Sequence, residues 1–162
     1  MFALGDLLIY GVHGVCKIIE LQVQTVSRKK VEYFVLEPIL QPGSKFFVPS
    51  QNEAALAKLR PILAKEQIEG IIASCLEYVN CWIDDENRRK LYYKELLTTC
   101  DRVALINMLR ALRIHKTQQA ECGKKFHISD ANFMHDAEKI IYSEFSLVLE
   151  IPYEEVESYI YK

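Results

Sequence analysis

Near Pro49-Ser50 the apolar residues of this chain change their spacing, and that change constrains the fold more than any other feature. Before it the period is two. Leu21, Val23 and Thr25 alternate with Glu20, Gln22 and Gln24, and Val31, Tyr33 and Val35 alternate with Glu32, Phe34 and Leu36. Side chains that alternate between two faces mark strands. Leu7 and Ile9, then Val15 and Ile18, sit around the turn Gly11-Val12-His13-Gly14. The run Ile18 to Val26 is rich in β-branched residues, and the polar Ser27-Arg28-Lys29-Lys30 reads as a hairpin tip. Pro38 and Pro42-Gly43 break the chain before a last strand, Lys45-Phe46-Phe47-Val48. Short strands with turns between them predict a small barrel or a strongly bent sheet.

After residue 50 the period is helical. Ser50 or Asn52 caps a short helix through Leu59, which Pro61 ends. Leu63 to about Tyr78 forms the next, with Ile68, Ile71, Ile72 and Cys75 on one stripe. Residues 79–83 connect it to a helix that starts at Asp84 or Asp85 and runs to Leu97. Asp101 caps another, with Leu105, Met108, Leu109 and Leu112 inward. Cys122-Gly123 ends it, since glycine suits the left-handed position there. Ser129 or Asp130 caps a long helix to about Leu149, with Phe133, Ala137, Ile140, Ile141, Phe145 and Leu149 inward. Pro152 opens the final helix, followed by Glu154 and Glu155, where the helix dipole favours negative charge. The expectation is an α+β chain: residues 1–60 a small β-barrel, residues 61–162 an all-helical domain of about five helices.

Half the residues are hydrophobic, which excludes a disordered chain. The formal net charge of -2 conceals an uneven distribution. Residues 83 to 125 carry ten Lys and Arg against six Asp and Glu, while residues 126 to 162 carry two against eight. A local basic surface can hold phosphates although the total is negative; ordinary solvated helix faces give the same counts. The start lacks a basic region and has Asp6 inside its apolar stretch, so no signal peptide is expected. No apolar run approaches the roughly 18 residues of a membrane span. A cytoplasmic location is expected, and the five cysteines, odd in number and without a CxxC, read as free thiols.

The familiar signatures of catalysis are missing: there is no P-loop, GxGxxG, HExxH or GxSxG. His13 and Cys16 could form a nucleophile pair, but they flank a glycine turn without a third orienting group, and His13 can hold that turn by a backbone hydrogen bond. Cys122, His127 and His135 are irregularly spaced for a metal and have no fourth partner; a helix cap and two surface histidines account for them. No catalytic residue, metal, cofactor or small-molecule substrate is expected.

The basic middle is the most suggestive constellation. Arg88, Arg89, Lys90 and Lys94 cluster on one helix, and Arg102, Arg110, Arg113 and Lys116 recur on the next. Such groups can bind phosphates without reading bases. The only tryptophan, Trp82, stands just before them in the connector. Two readings of it are open. An exposed ring beside a basic surface can wedge a minor groove, and a buried one can plug the junction between two modules.

Gly5-Asp6, Ile9-Tyr10, His13-Gly14-Val15, Ile18, Tyr33-Phe34-Val35-Leu36 and Val48-Pro49 together resemble the CarD/CdnL family of bacterial transcription regulators, whose β module is shared with the transcription-repair coupling factor. The second half agrees at Trp82, Arg88-Arg89, Asp101, Ala137, Ile140, Ser143-Glu144, Leu147 and Pro152 with Glu154-Glu155. The resemblance implies a Tudor-like barrel that docks on the β subunit of RNA polymerase. It implies a helical domain that contacts promoter DNA near the −10 element, where a tryptophan wedges the minor groove and stabilises the open complex, in a cytoplasmic, nucleoid-associated protein. Carried onto this chain, the DNA contacts are Trp82, Arg88, Arg89, Lys90, Arg110 and Arg113, and the polymerase contacts are Gln24, Arg28, Lys45, Phe47 and Pro49. The chain departs from the family at three places. Its hairpin tip lacks glycine; Gln24 and Phe47 stand where the family tends to place arginines, so that the charge comes from Arg28 or Lys45; and Ile83-Asp84-Asp85-Glu86-Asn87 separates Trp82 from Arg88. An adaptor with the same docking domain and no DNA contact is the alternative.

Overall fold

The computed structural model describes residues 2–77 and 81–161. The chain divides into two compact units, Met1–Ile62 and Leu63–Lys162.

The first unit is an antiparallel sheet of five strands: β1 Leu7–Tyr10, β2 Val15–Val26, β3 Lys29–Pro38, β4 Phe46–Pro49 and β5 Leu59–Pro61. Their order is β4-β3-β2-β1-β5. The two runs expected around Ile18 are one strand, β2, bent by a bulge between Ile18 and Glu20. The short helix, α1, is Glu53–Leu56; Asn52 caps it by accepting from the Ala55 amide at 3.1 Å. It stops short of Leu59 because residues 59–61 pair instead with β1, Leu59 opposite Tyr10 and Pro61 opposite Leu8. Proline is tolerated there because β5 is an edge strand and need not donate outward.

The expected barrel is corrected by this topology: the sheet is open. Among the described residues β4 and β5 form no ladder with each other. Both are short, whereas the β2–β3 ladder runs from Cys16 opposite Pro38 to Val26 opposite Lys29 and projects past them. One face of the sheet is the core, made by Leu8, Cys16, Ile18, Phe34, Leu36, Val48 and Leu59, with Phe2, Tyr10 and Phe46 packed against it. Each fully buried aliphatic here contributes about 1.5–3 kcal/mol. At the tip of the β2–β3 hairpin Ser27 (φ 49) and Arg28 (φ 67) are both left-handed. This two-residue turn follows the right-handed strand twist.

The second unit contains α2 Lys65–Ser74, α3 Glu86–Thr99, α4 Arg102–Glu121, α5 Ile128–Leu149 and α6 Val156–Ile160, the last led in by a 3-10 turn over Tyr153–Glu155. α5 packs against α2, α3, α4 and α6. Its Ala137, Ile140, Ile141 and Phe145 meet Leu105, Ile106, Met108, Leu109 and Leu112 of α4 in a fully buried layer. α2 ends at Ser74; the expected end near Tyr78 and the first two connector residues, Val79 and Asn80, lie outside the described residues. Asp85 and Asp101 cap α3 and α4, accepting from the amides of Arg88 and Ala104. Gly123 takes the left-handed position after α4 (φ 68). The cap of α5 differs from expectation. Its N-cap is His127 without a side-chain bond, because the carboxylate of Asp130 is turned inward to an arginine. Among the described residues no helix is long and apolar enough to cross a membrane.

Candidate docking face and the Trp82 stack

Strand register decides which side chains share the sheet face opposite the core. Gln22, Tyr33 and Pro49 are cross-strand neighbours, as are Gln24 and Val31, and as are Val35 and Phe47. Directly paired residues and those two apart point the same way. Gln24, Phe47 and Pro49 therefore stand on one face with Tyr33, while Phe34 and Val48 point into the core. The rings of Tyr33 and Phe47 meet edge to face at 6.5 Å. Phe47 is 47% exposed, a large apolar surface for a strand side chain. Two exposed cations border this face. Arg28 is at the hairpin tip, and Lys45, just before β4, has the strand parity of Phe47.

His13 and Cys16 do not form a reactive pair. The His13 ring lies on Phe46 at 4.2 Å and near Tyr10 at 5.5 Å. The Cys16 Sγ–H points to the Gly14 carbonyl, and burial pushes its thiol pKa up to about 12, so it carries no thiolate at neutral pH. Among the described residues no group of His, Cys, Asp and Glu is placed to hold a metal; Cys122 and His135 are exposed, and His127 lies 3.8 Å from Glu86.

The second unit places the basic residues apart. Arg89 is expected on the surface as a phosphate contact; the structure corrects this. Its side chain is buried, donating Nε and Nη2 to the two Asp130 oxygens at 3.0 Å each and Nη1 to the Ile83 and Asp84 carbonyls at 2.8 and 3.3 Å. A guanidinium is stabilised in a low-dielectric site by this bidentate match, and no room is left for a phosphate. Arg102 is used in the same way. It donates Nε and Nη2 to buried Glu144 at 3.0 and 2.9 Å, and the same carboxylate takes the Leu63 amide at 3.0 Å. Burial works against its charge, but the hydrogen bonds and attraction from Glu144 outweigh that and hold its pKa above the ordinary arginine value. The sequence carries a signal for both pairs. Asp130 and Glu144 fall at helical spacing from Ala137, Ile140 and Ile141, on the inward stripe, where a carboxylate needs a buried partner.

Trp82 is half-buried and stacked. Its ring lies 3.8 Å from that of His115 at an interplanar angle of 16°, and the Arg89 guanidinium lies 4.5 Å from its centroid. Neither sequence reading of Trp82 anticipated His115, because the two are joined only by tertiary packing. His115 is followed in space by Phe126 at 6.4 Å, over which Lys116 places its ammonium at 5.9 Å. Desolvation lowers the His115 pKa, with Arg89 and His127 acting in the same sense and Asp130 and Asp84 against it. Arg88 is exposed, while Lys90 pairs with Glu86 at 2.9 Å. Arg110 and Arg113 belong elsewhere. Both stack on Tyr161, at 4.9 and 4.6 Å, Arg110 donates to the Cys75 carbonyl, and Arg113 pairs with Glu157. At 100° per residue they lie roughly 140–160° around α4 from His115, so the six expected DNA contacts do not form one surface.

Residues 2–63 match the family model of the CarD-like/TRCF RID domain. The N-terminal unit is a CarD-like domain. The match coincides closely with the first unit, Met1–Ile62. No curated protein matches the chain significantly. The matched model describes an RNA polymerase-interacting module, and the match covers the first unit alone.

Proposed function

We propose that this CarD-like protein docks on the β subunit of RNA polymerase through the Tyr33–Phe47–Pro49 face and contacts promoter DNA with its helical unit, stabilising the open complex without catalysing a reaction. The observation that carries the docking half is the exposed Phe47 on a sheet face bordered by Arg28 and Lys45, within the matched domain. An apolar centre with a charged rim is the anatomy of a protein interface. Gln24 adds a neutral donor and acceptor at the end of that face. A polymerase anchor would raise the effective concentration of a weak DNA contact. That suits a helical unit in which Arg89 and Arg102 are turned inward.

The test is co-purification of the β subunit with the full chain and with Phe47→Glu. The substitution is expected to abolish co-purification while leaving the melting temperature nearly unchanged, since the ring is half exposed. Retention of the subunit would overturn the docking face. A second reading, an adaptor that touches no DNA, is favoured by the inward turn of Arg89 and Arg102. Gel retardation of promoter DNA with and without polymerase separates the two.

A further inference from the structure

We propose that the free edge of β2, residues 20–26, pairs antiparallel with the same edge of a second copy of this chain and forms a weak two-fold dimer. β1 covers β2 only from Val15 to Lys17, and the backbone bonds of Gly5 and Asp6 to Ile18 end that cover. Beyond the bulge, β2 keeps a regular ladder with β3, from Glu20 opposite Val35 to Val26 opposite Lys29. Among the described residues no strand pairs its other side there. β4 ends at Pro49 opposite Tyr33, and the Ser50 amide adds one bond to the Glu32 carbonyl. Past that point the hairpin is a two-stranded ribbon, which is marginal in water by itself and gains from further strands. The edge is also open to pairing by its sequence. Natural sheet edges are blocked by lysine, proline or an inward-pointing charge. Glu20-Leu21-Gln22-Val23-Gln24-Thr25-Val26 has no proline, no lysine and a single charge, and Leu21, Val23 and Val26 are 45%, 59% and 45% exposed.

Self-complementarity names the occupant. Val23 is the middle of this stretch, so pairing about a two-fold axis at Val23 uses the whole edge. Val23 then faces the partner's Val23, Gln22 the partner's Gln24, Leu21 the partner's Thr25 and Glu20 the partner's Val26. The axis is normal to the sheet. Leu21 and Val23 of both copies therefore share one face and cover each other, while the carboxamides of Gln22 and Gln24 meet on the other. Charge agrees with this register. The two Glu20 side chains stand about 20 Å apart along the strands, beyond the reach of mutual repulsion at ordinary salt. Each lies instead at the end of the partner hairpin that carries Arg28, Lys29 and Lys30. The contact is small beside a standard interface of about 1,600 Å², so the dimer is weak. Phe47 stands on β4, on the far side of β3 from this edge.

The experiment is sedimentation velocity of the full chain from about 1 to about 500 µM. A monomer–dimer equilibrium with a Kd of about 10–100 µM is expected. Val23→Lys sets two ammonium groups against each other at the axis and should weaken the dimer about 10-fold or more. Val23→Thr, still β-branched, should keep it. Because Val23 is largely exposed, both variants should melt close to the parent chain, which separates loss of the edge from loss of the fold. The register has its own test. Leu21→Lys alone should weaken the dimer, and adding Thr25→Glu should restore it, since each new lysine then faces a new glutamate of the partner; the restored dimer should weaken with salt. A chain that is monomeric at every concentration, a dimer indifferent to Val23→Lys, or no restoration in the double variant overturns the proposal. The polymerase docking face is read separately. Val23→Lys should leave co-purification of the β subunit intact, and Phe47→Glu should leave the dimer intact. A monomeric chain that loses the β subunit on Val23→Lys would give this edge to polymerase and overturn the dimer.

Discussion

Arg89 on α3 and Asp130 in the first turn of α5 meet through two hydrogen bonds of 3.0 Å, with their side chains 5% and 1% exposed. The same guanidinium binds the Ile83 and Asp84 carbonyls and lies over Trp82. One buried ion pair thus fixes both a helix contact and the connector that carries the tryptophan. Removing one partner leaves a charge in a low dielectric without compensation. Asp130→Asn is expected to cost about 3–5 kcal/mol of stability in urea unfolding and to shift Trp82 emission to the red as the connector loosens. An unshifted spectrum would separate the pair from the position of Trp82.

Glu144 has no exposed surface and binds Arg102 and the Leu63 amide together. Glu144→Leu should lower the stability of the helical unit by about 3–5 kcal/mol, because Arg102 stays half-enclosed without its counter-charge. Adding Arg102→Met should recover much of that loss, since replacing both members of a buried pair is far less costly than replacing one. Thermal melting of the single and double variants measures the coupling.

The turn Ser27-Arg28 holds two non-glycine residues at positive φ. Each such residue costs about 1–2 kcal/mol relative to glycine. Ser27→Asn with Arg28→Gly, the favoured pair for this turn, should raise the stability of the first unit by about 1 kcal/mol or more. If the proposed docking face includes Arg28, the same change should weaken polymerase binding. Opposite signs in melting and pull-down are the expected result.

His115 supplies a pH dependence. Its folded pKa lies below the ordinary 6.5, chiefly from desolvation, with Arg89 and His127 lowering and Asp130 and Asp84 raising it. On acidification the unfolded chain takes up this proton first. The contribution of His115 is therefore present above the unfolded value near 6.5 and is lost as pH falls through the lower folded value. Trp82 emission should fall over that acidic window as an imidazolium forms against the indole, and His115→Ala should abolish the titration.

Trp82→Ala should cost about 1–3 kcal/mol, the worth of a stacked pair and a cation–π contact, below the 3–5 kcal/mol of a core aromatic. Calorimetric melting checks this. A larger loss would make the ring a structural plug.

The period-two pattern up to Val48 and the helical pattern after residue 50 are local, so strands β1 to β4, the caps Asn52, Asp85 and Asp101, and the inward stripes of α4 and α5 were legible in the sequence. Pairing Leu59–Pro61 with β1 is not local. Those residues carry no strand period of their own and form β5 because an edge was open to them. Charge is the other case. Sequence counts Arg88, Arg89, Arg102, Arg110 and Arg113 alike. Only the packing of α5 turns Arg89 and Arg102 inward to Asp130 and Glu144, and only the rotation along α4 sends Arg110 and Arg113 to Tyr161 while His115 meets Trp82. A residue's type fixes what it can bind; which partner lies within about 3 Å is set by elements more than forty residues apart, and only their tertiary arrangement decides it.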